Sequence, residues 1–220
     1  MVSTKMVAKT VPEIDFALKS FSGDMVKIEY LENCLKQLGL ANDVARFCHV
    51  KLADLYAYKL MWNLAAKQMD NAADKATSYK DKITFYNKEM DLLVRSGDYL
   101  MIDKAFKKAM LCGASPQEKE LIKSSLKLSM MTRANEFEKK NQRSNAGKIY
   151  ERLLEMTYLI NETERKQLIG KLGEAYSKVG RIKDAMKYEQ MLKKPLPPLN
   201  KDPDVQVKKV SWEDLGIDNL

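Results

Sequence analysis

Residues 173–185 read GEAYSKVGRIKDA. Small and apolar residues recur three or four apart on both sides of Gly180, the spacing that lines one face of an α-helix. Gly180 itself tolerates the left-handed backbone that a tight turn between helices demands. The stretch therefore predicts a helical hairpin, one helix over 162–179 and the next over 182–193.

The same arrangement recurs toward the N-terminus. Ala185 is the last of four alanines, Ala65, Ala105, Ala146 and Ala185, separated by 40, 41 and 39 residues. An aromatic lies nine residues before three of them, at Tyr56, Phe137 and Tyr176, and a small residue lies twelve before, at Ala53, Ala134 and Gly173. Four residues after the alanines stand Met69, Ala109, Tyr150 and Glu189, of which Glu189 breaks the apolar pattern. The unit around Ala105 has Ser96 where the aromatic belongs. An alanine or glycine on one helix lets the backbone of its antiparallel partner approach, while the aromatic fills the wider gap beside it. A hairpin built this way covers only one face, so hairpins must stack. A period near forty fits a helix of about 15 to 20 residues, a short turn and another helix.

The remaining sequence permits helix almost throughout. Between Pro12 and Pro195 the only proline is Pro116, and few other residues would break a helix. Expected helices cover 25–40, 42–58, 83–94, 100–111, 117–140 and 145–158, with another centred on 62–76. Gly39 offers a stop for the first. Ser115, Pro116 and Glu118 supply an N-cap, a first-turn proline and a capping box, and Asn161 with Glu164 supplies a second capping box. Three segments follow: 1–24, with a short helix near Pro12; a helical repeat domain over 25–194; and a tail over 195–220. In the tail, Pro195, Pro197, Pro198 and Pro203 favour extended chain. Its Val205, Val207, Val210, Trp212, Leu215 and Ile217 are apolar, and Trp212 is a candidate anchor onto the body. Binding in trans, folding onto the last repeat and self-association all remain open for it.

The pattern resembles the tetratricopeptide-like repeats, and its longer period resembles the helical hairpins of the soluble NSF attachment proteins. Ala134, Phe137, Ala146, Tyr150 and Leu153 carry one repeat, and Ala53, Tyr56, Ala65, Met69 and Ala72 a second. Gly173, Tyr176, Gly180 and Ala185 carry a third, in the glycine, tyrosine, glycine, alanine order of such repeats. The resemblance covers about 25–193 and implies an all-α fold, a right-handed superhelix of stacked antiparallel helical hairpins, or α-solenoid. It also implies a concave helical surface that takes a peptide or helical partner.

Composition bounds the chemistry. The chain carries a net charge of +8; residues 201–220 hold three lysines against five acids, so the first 200 carry +10. A basic body steers toward an acidic protein, an anionic membrane or nucleic acid, although its lysines are interleaved with acids. Cys34, Cys48 and Cys112, an odd and scattered set, argue for a reducing compartment. No apolar run reaches the roughly 18 residues that cross a bilayer, and residues 1–10 lack a secretory apolar stretch, so a cytoplasmic location is expected. With one histidine, His49, metal and triad chemistry lacks its usual donors. Gly170, Gly173 and Gly180 follow no strand and have no phosphate-loop spacing. Glu29, Glu32, Glu136 and Glu138 sit on polar helix faces, without the apolar surroundings that acid-base catalysis needs.

These features predict no catalytic, cofactor or metal site. The expected function is a protein-protein interaction adaptor or assembly scaffold, with another protein, acidic or helical, as partner. Tyr58 and Trp62, four residues apart, are the aromatic anchors for a binding face, and Lys104, Lys107, Lys108 and Arg143 are the steering cations. The alternative is a nucleic-acid-binding helical module using Lys104, Lys107, Lys108 and the Lys139, Lys140, Arg143, Lys148 group on phosphates. Intervening acids and the absence of a Gly-aromatic RNA motif oppose it.

Overall fold

The computed structural model describes residues 8–193 with 195, 196, 198 and 199. Among them are ten α-helices and no strand. The helices are α1 (Val11–Ser20), α2 (Asp24–Leu35), α3 (Asn42–Tyr58), α4 (Trp62–Asp74) and α5 (Tyr79–Ser96), followed by α6 (Tyr99–Cys112) and α7 (Pro116–Lys139). After α8 (Arg143–Glu155) comes a 3-10 turn (Thr157–Leu159), then α9 (Glu162–Lys178) and α10 (Ile182–Lys193). No described helix is long and apolar enough to cross a membrane. Expectations for the tail beyond Leu199 lie outside the described residues.

The chain forms two compact units, Met1–Ile122 and Lys123–Leu220, with the boundary inside α7. In the first, α2 packs on α3, α3 on α4, α4 on α5 and α5 on α6; in the second, α8 packs on α9 and α9 on α10. Sequential packing of this kind is that of helical-repeat, solenoid-like proteins.

Both capping boxes form. The Glu118 amide donates to Ser115 Oγ at 3.1 Å while the Ser115 amide donates to Glu118 Oε2 at 3.0 Å, and Asn161 and Glu164 exchange the same pair at 2.9 Å. These bonds satisfy amides that a helix start leaves unpaired. Gly39 adopts the left-handed conformation (φ 73°), but α2 has already ended at Leu35.

Four interhelical turns share one device. Leu60, Gly97, Asn141 and Gly180 are all left-handed, with φ between 57° and 78°. After each, an amide donates back into the preceding helix: Met61 to Tyr56 at 2.9 Å, Asp98 to Leu93 at 3.2 Å, Gln142 to Phe137 at 2.8 Å and Arg181 to Tyr176 at 2.9 Å. This Schellman closure satisfies the last carbonyls and reverses the chain.

The turns correct the sequence register. Ala65, Ala146 and Ala185 each lie five residues after a left-handed residue, but Ala105 lies eight after Gly97, and Ile102 takes the alanine's place. The turns are 37, 44 and 39 residues apart rather than evenly spaced. Ser96 therefore does not stand in for an aromatic; Leu93 occupies that position and Met90 the small-residue position. All three are buried. Leu93, Met90 and Ile102 fill with aliphatic volume what an aromatic and two small residues fill elsewhere, a swap that close-packed interiors tolerate.

Candidate functional site

The second unit opens a groove between α7 and α9. Buried Leu126, Met130 and Ala134 form one stripe of α7 in this unit. Ser124, Lys127, Leu128 and Met131, at three- and four-residue spacing, form another that lines the groove. Glu164, Gln167, Leu168 and Lys171 form the facing stripe of α9, and Leu153 and Ile160 form the floor, enclosing about 240 Å³. Leu128 is 67% exposed, an open apolar side chain beside an apolar floor.

Charged groups stand over that floor. Lys127 Nζ donates to Glu164 Oε1 at 2.9 Å, tying α7 to α9. The other oxygen of Glu164 accepts from the Asn161 amide. One carboxylate thus starts α9 and spans the groove. Burial pushes the Glu164 carboxyl up, but the Asn161 amide and Lys127 together hold it below its ordinary value. Lys171 Nζ donates to Tyr150 Oη at 3.3 Å and lies 3.8 Å from Glu138. It also lines a second, charged cleft of about 280 Å³, where Arg143 and Lys178 face Glu138 and Glu174.

Arg143, the first residue of α8, therefore lies in a cleft that shares a wall with the groove. Tyr58 ends α3 and is 79% exposed, whereas Trp62 begins α4 and is half-buried, with the Arg95 guanidinium 5.7 Å from its ring centroid. The intervening turn at Leu60 means that their four-residue spacing is not one turn of a single helix. Lys104, Lys107 and Lys108 share one side of α6 and are half-buried. Lys108 is held by Asp70, donating to its two oxygens at 2.7 and 3.0 Å.

Beneath that ion pair lies a carboxyl the sequence did not single out. Glu89 is 3% exposed, and its Oε2 has no hydrogen-bond partner. Burial pushes its pKa up to about 9; Asp70 and Asp74 act in the same direction and Lys108 against it. Glu89 is a neutral acid at pH 7, which is how an unpaired buried carboxyl avoids the cost of a buried charge.

Cys34 and Cys48 are fully buried on α2 and α3, and His49 Nδ1 lies 2.7 Å from Gln68 Oε1. Among the described residues no three His, Cys, Asp or Glu side chains converge to hold a metal.

The α7–α9 groove escaped the sequence reading, although α7 carried a signal in LIKSSLKLSMM, residues 121–131. Its apolar residues lie on two sides of the helix, more than one buried face requires. Comparison with protein-family models and with curated proteins finds no match to this chain.

Proposed function

We propose that this chain is a protein-protein interaction adaptor or assembly scaffold, a right-handed tetratricopeptide-like stack that takes a peptide or helix of its partner in the α7–α9 groove. The observation that carries the reading is the groove itself. Two helix stripes face each other over an apolar floor, Leu128 is open to solvent, and Lys127 and Lys171 stand at the rim. An aliphatic or aromatic anchor buried there contributes affinity, and rim cations select acidic flanks. The reading includes no catalytic step. Three free cysteines support a reducing, cytoplasmic setting.

Capture of partners from native extract by the tagged protein, with and without nuclease, tests it. A stoichiometric protein that survives nuclease and falls by roughly ten-fold or more with Leu128→Glu, a loss of about 1.4 kcal/mol, is the expected result. Partner loss on nuclease treatment would transfer the function to nucleic acid, and capture indifferent to Leu128→Glu would remove the groove from it. Exposed Tyr58, with Trp62, Lys104, Lys107 and Lys108, is a separate contact proposal on the first unit. Paired alanines at Tyr58 and Trp62 that leave capture and melting unchanged would dismiss it.

A further inference from the structure

We infer that the groove has an occupant in the same chain: residues 210–217, VSWEDLGI, which place Trp212 and Leu215 on the apolar floor and set Glu213 and Asp214 against Lys127 and Lys171. The inference rests on the groove being the binding site proposed above.

Charge complementarity is the first argument. Residues 123–193 contain sixteen Lys and Arg against nine Asp and Glu, so +7 of the chain's +8 resides there, while residues 1–122 carry only +2. Residues 201–220 carry −2. The tail is thus a net-acidic segment joined directly to the most basic part of the chain, and an attraction within a single molecule needs no diffusional encounter.

Apolar complementarity is the second. An indole covers about 150–250 Å² on burial, which suits a groove that leaves Leu128 open. Trp212 and Leu215 are three residues apart with both acids between them, so a single turn of helix directs the two apolar side chains to one side.

Reach is the third. α10 runs back along α9, because a Cβ on Gly173 would lie 3.8 Å from the Ala185 carbonyl oxygen and 3.7 Å from Glu189 Cγ. Leu192 then shares a cleft with Ile169 and Gly170. The chain leaves α10 at Lys193, near the level of Leu168, whose side chain lines the groove on the other flank of α9. The path around α9 is about one helix diameter, 10–12 Å. Eighteen residues, 194–211, lie between Lys193 and Trp212, and they extend to about 60 Å. The occupied groove is therefore self-plugged, and a partner must displace the tail.

The test is photo-crosslinking of the full chain carrying Trp212→p-benzoylphenylalanine. Expected adducts stay within the monomer and map to residues 127–131 or 164–171. Their yield falls roughly five-fold between about 0.05 and 0.5 M salt, and again with Leu128→Glu. Leu128 stands on the open side of the groove and not in the helical core, so an unchanged helical content by circular dichroism shows that the variant has lost only the docking contact. Reversing the tail acids with Glu213→Lys and Asp214→Lys strengthens partner capture several-fold. Adducts on the flank of α10 around Leu192, dimer-sized adducts, no adducts, or a yield indifferent to Leu128→Glu would each overturn the inference. Failed crosslinking with capture still sensitive to Leu128→Glu removes the tail and leaves the groove, whereas capture indifferent to Leu128→Glu removes both.

Discussion

Two lysines reach across helices to a carboxylate at nearly the same distance, 2.7 Å for Lys108 and Asp70 in the first unit and 2.9 Å for Lys127 and Glu164 in the second. Their surroundings differ. Lys108 lies over the Tyr86 ring, 6.0 Å from its centroid, and close enough to buried Glu89 for the two to influence each other's charge. Lys127 stands at the edge of an open apolar groove. The same ion pair is a countercharge for packed acids in one place and a rim for a binding surface in the other. The cost of deleting each one separates these roles, since an enclosed pair broken on one side strands a charge and an open pair hands it to water.

The largest expected effect belongs to the acid beneath the first pair. Glu89, on α5, faces Asp70 and Asp74 from α4 and Lys108 from α6, with Tyr86 on its own helix. Its folded pKa, about 9, lies above the ordinary value of 4.5. The stability of the neutral form is therefore fully present below pH 4.5 and is lost as pH rises through about 9, because only the unfolded chain gives up the proton in between. Glu89→Gln has no such dependence. Across pH 6 to 8 the variant gains on the parent by up to about 2.7 kcal/mol, at about 1.4 kcal/mol per pH unit. Urea melts of both proteins at several pH values measure the gap, and parallel pH profiles would show that Glu89 is ionised in the fold.

Lys108→Ala comes next. Both partners are less than one-quarter exposed, at 18% and 24%, so part of the charge left on Asp70 reaches water and the loss is about 2 kcal/mol rather than that of a fully buried pair. A double-mutant cycle with Asp70→Asn isolates the coupling; a value near zero would make the pair an incidental contact.

Much of this was legible in the sequence, for identifiable reasons. The 42–58 and 182–193 helices were readable to the residue, because a turn residue bounds each and the apolar spacing is one-sided. The helix expected to reach residue 158 stops at Glu155: Met156 turns out of helix (φ −85°, ψ 61°), and the 3-10 turn carries Tyr158, Leu159 and Ile160 into the core. Apolar spacing does not distinguish those residues from one more helical turn, so the groove floor at Ile160 was invisible. Glu89 was missed because its burial comes from three helices meeting, which no local pattern records. Gly147 was silent as well: a Cβ there would lie 3.1 Å from the Tyr176 ring. That ring is fully buried and stacked on Tyr188 at 5.9 Å, so it has little room to yield. Gly147→Ala is therefore expected to cost about 1 kcal/mol despite alanine's better helix propensity. Gly170→Ala, with open space around its Cβ position, gains up to about 1 kcal/mol. Thermal melts that moved both variants the same way would erase the distinction.

The smallest effect on stability belongs to the second lysine, and there the comparison is sharpest. Lys127 and Glu164 are each about one-third exposed, at 32% and 34%, so the pair contributes under about 1 kcal/mol. Glu164 also keeps its bond to the Asn161 amide when Lys127 is gone, so the start of α9 survives. Lys127→Ala is expected to leave the melting curve within about 0.5 kcal/mol of the parent. Partner capture should fall by several-fold and lose part of its salt dependence, because a rim cation acts through long-range attraction. Equal losses of stability for Lys127→Ala and Lys108→Ala would mean that both pairs hold the fold together. A large loss for Lys108 alone, with binding affected by Lys127 alone, would separate the pair that supports packing from the pair that faces a partner.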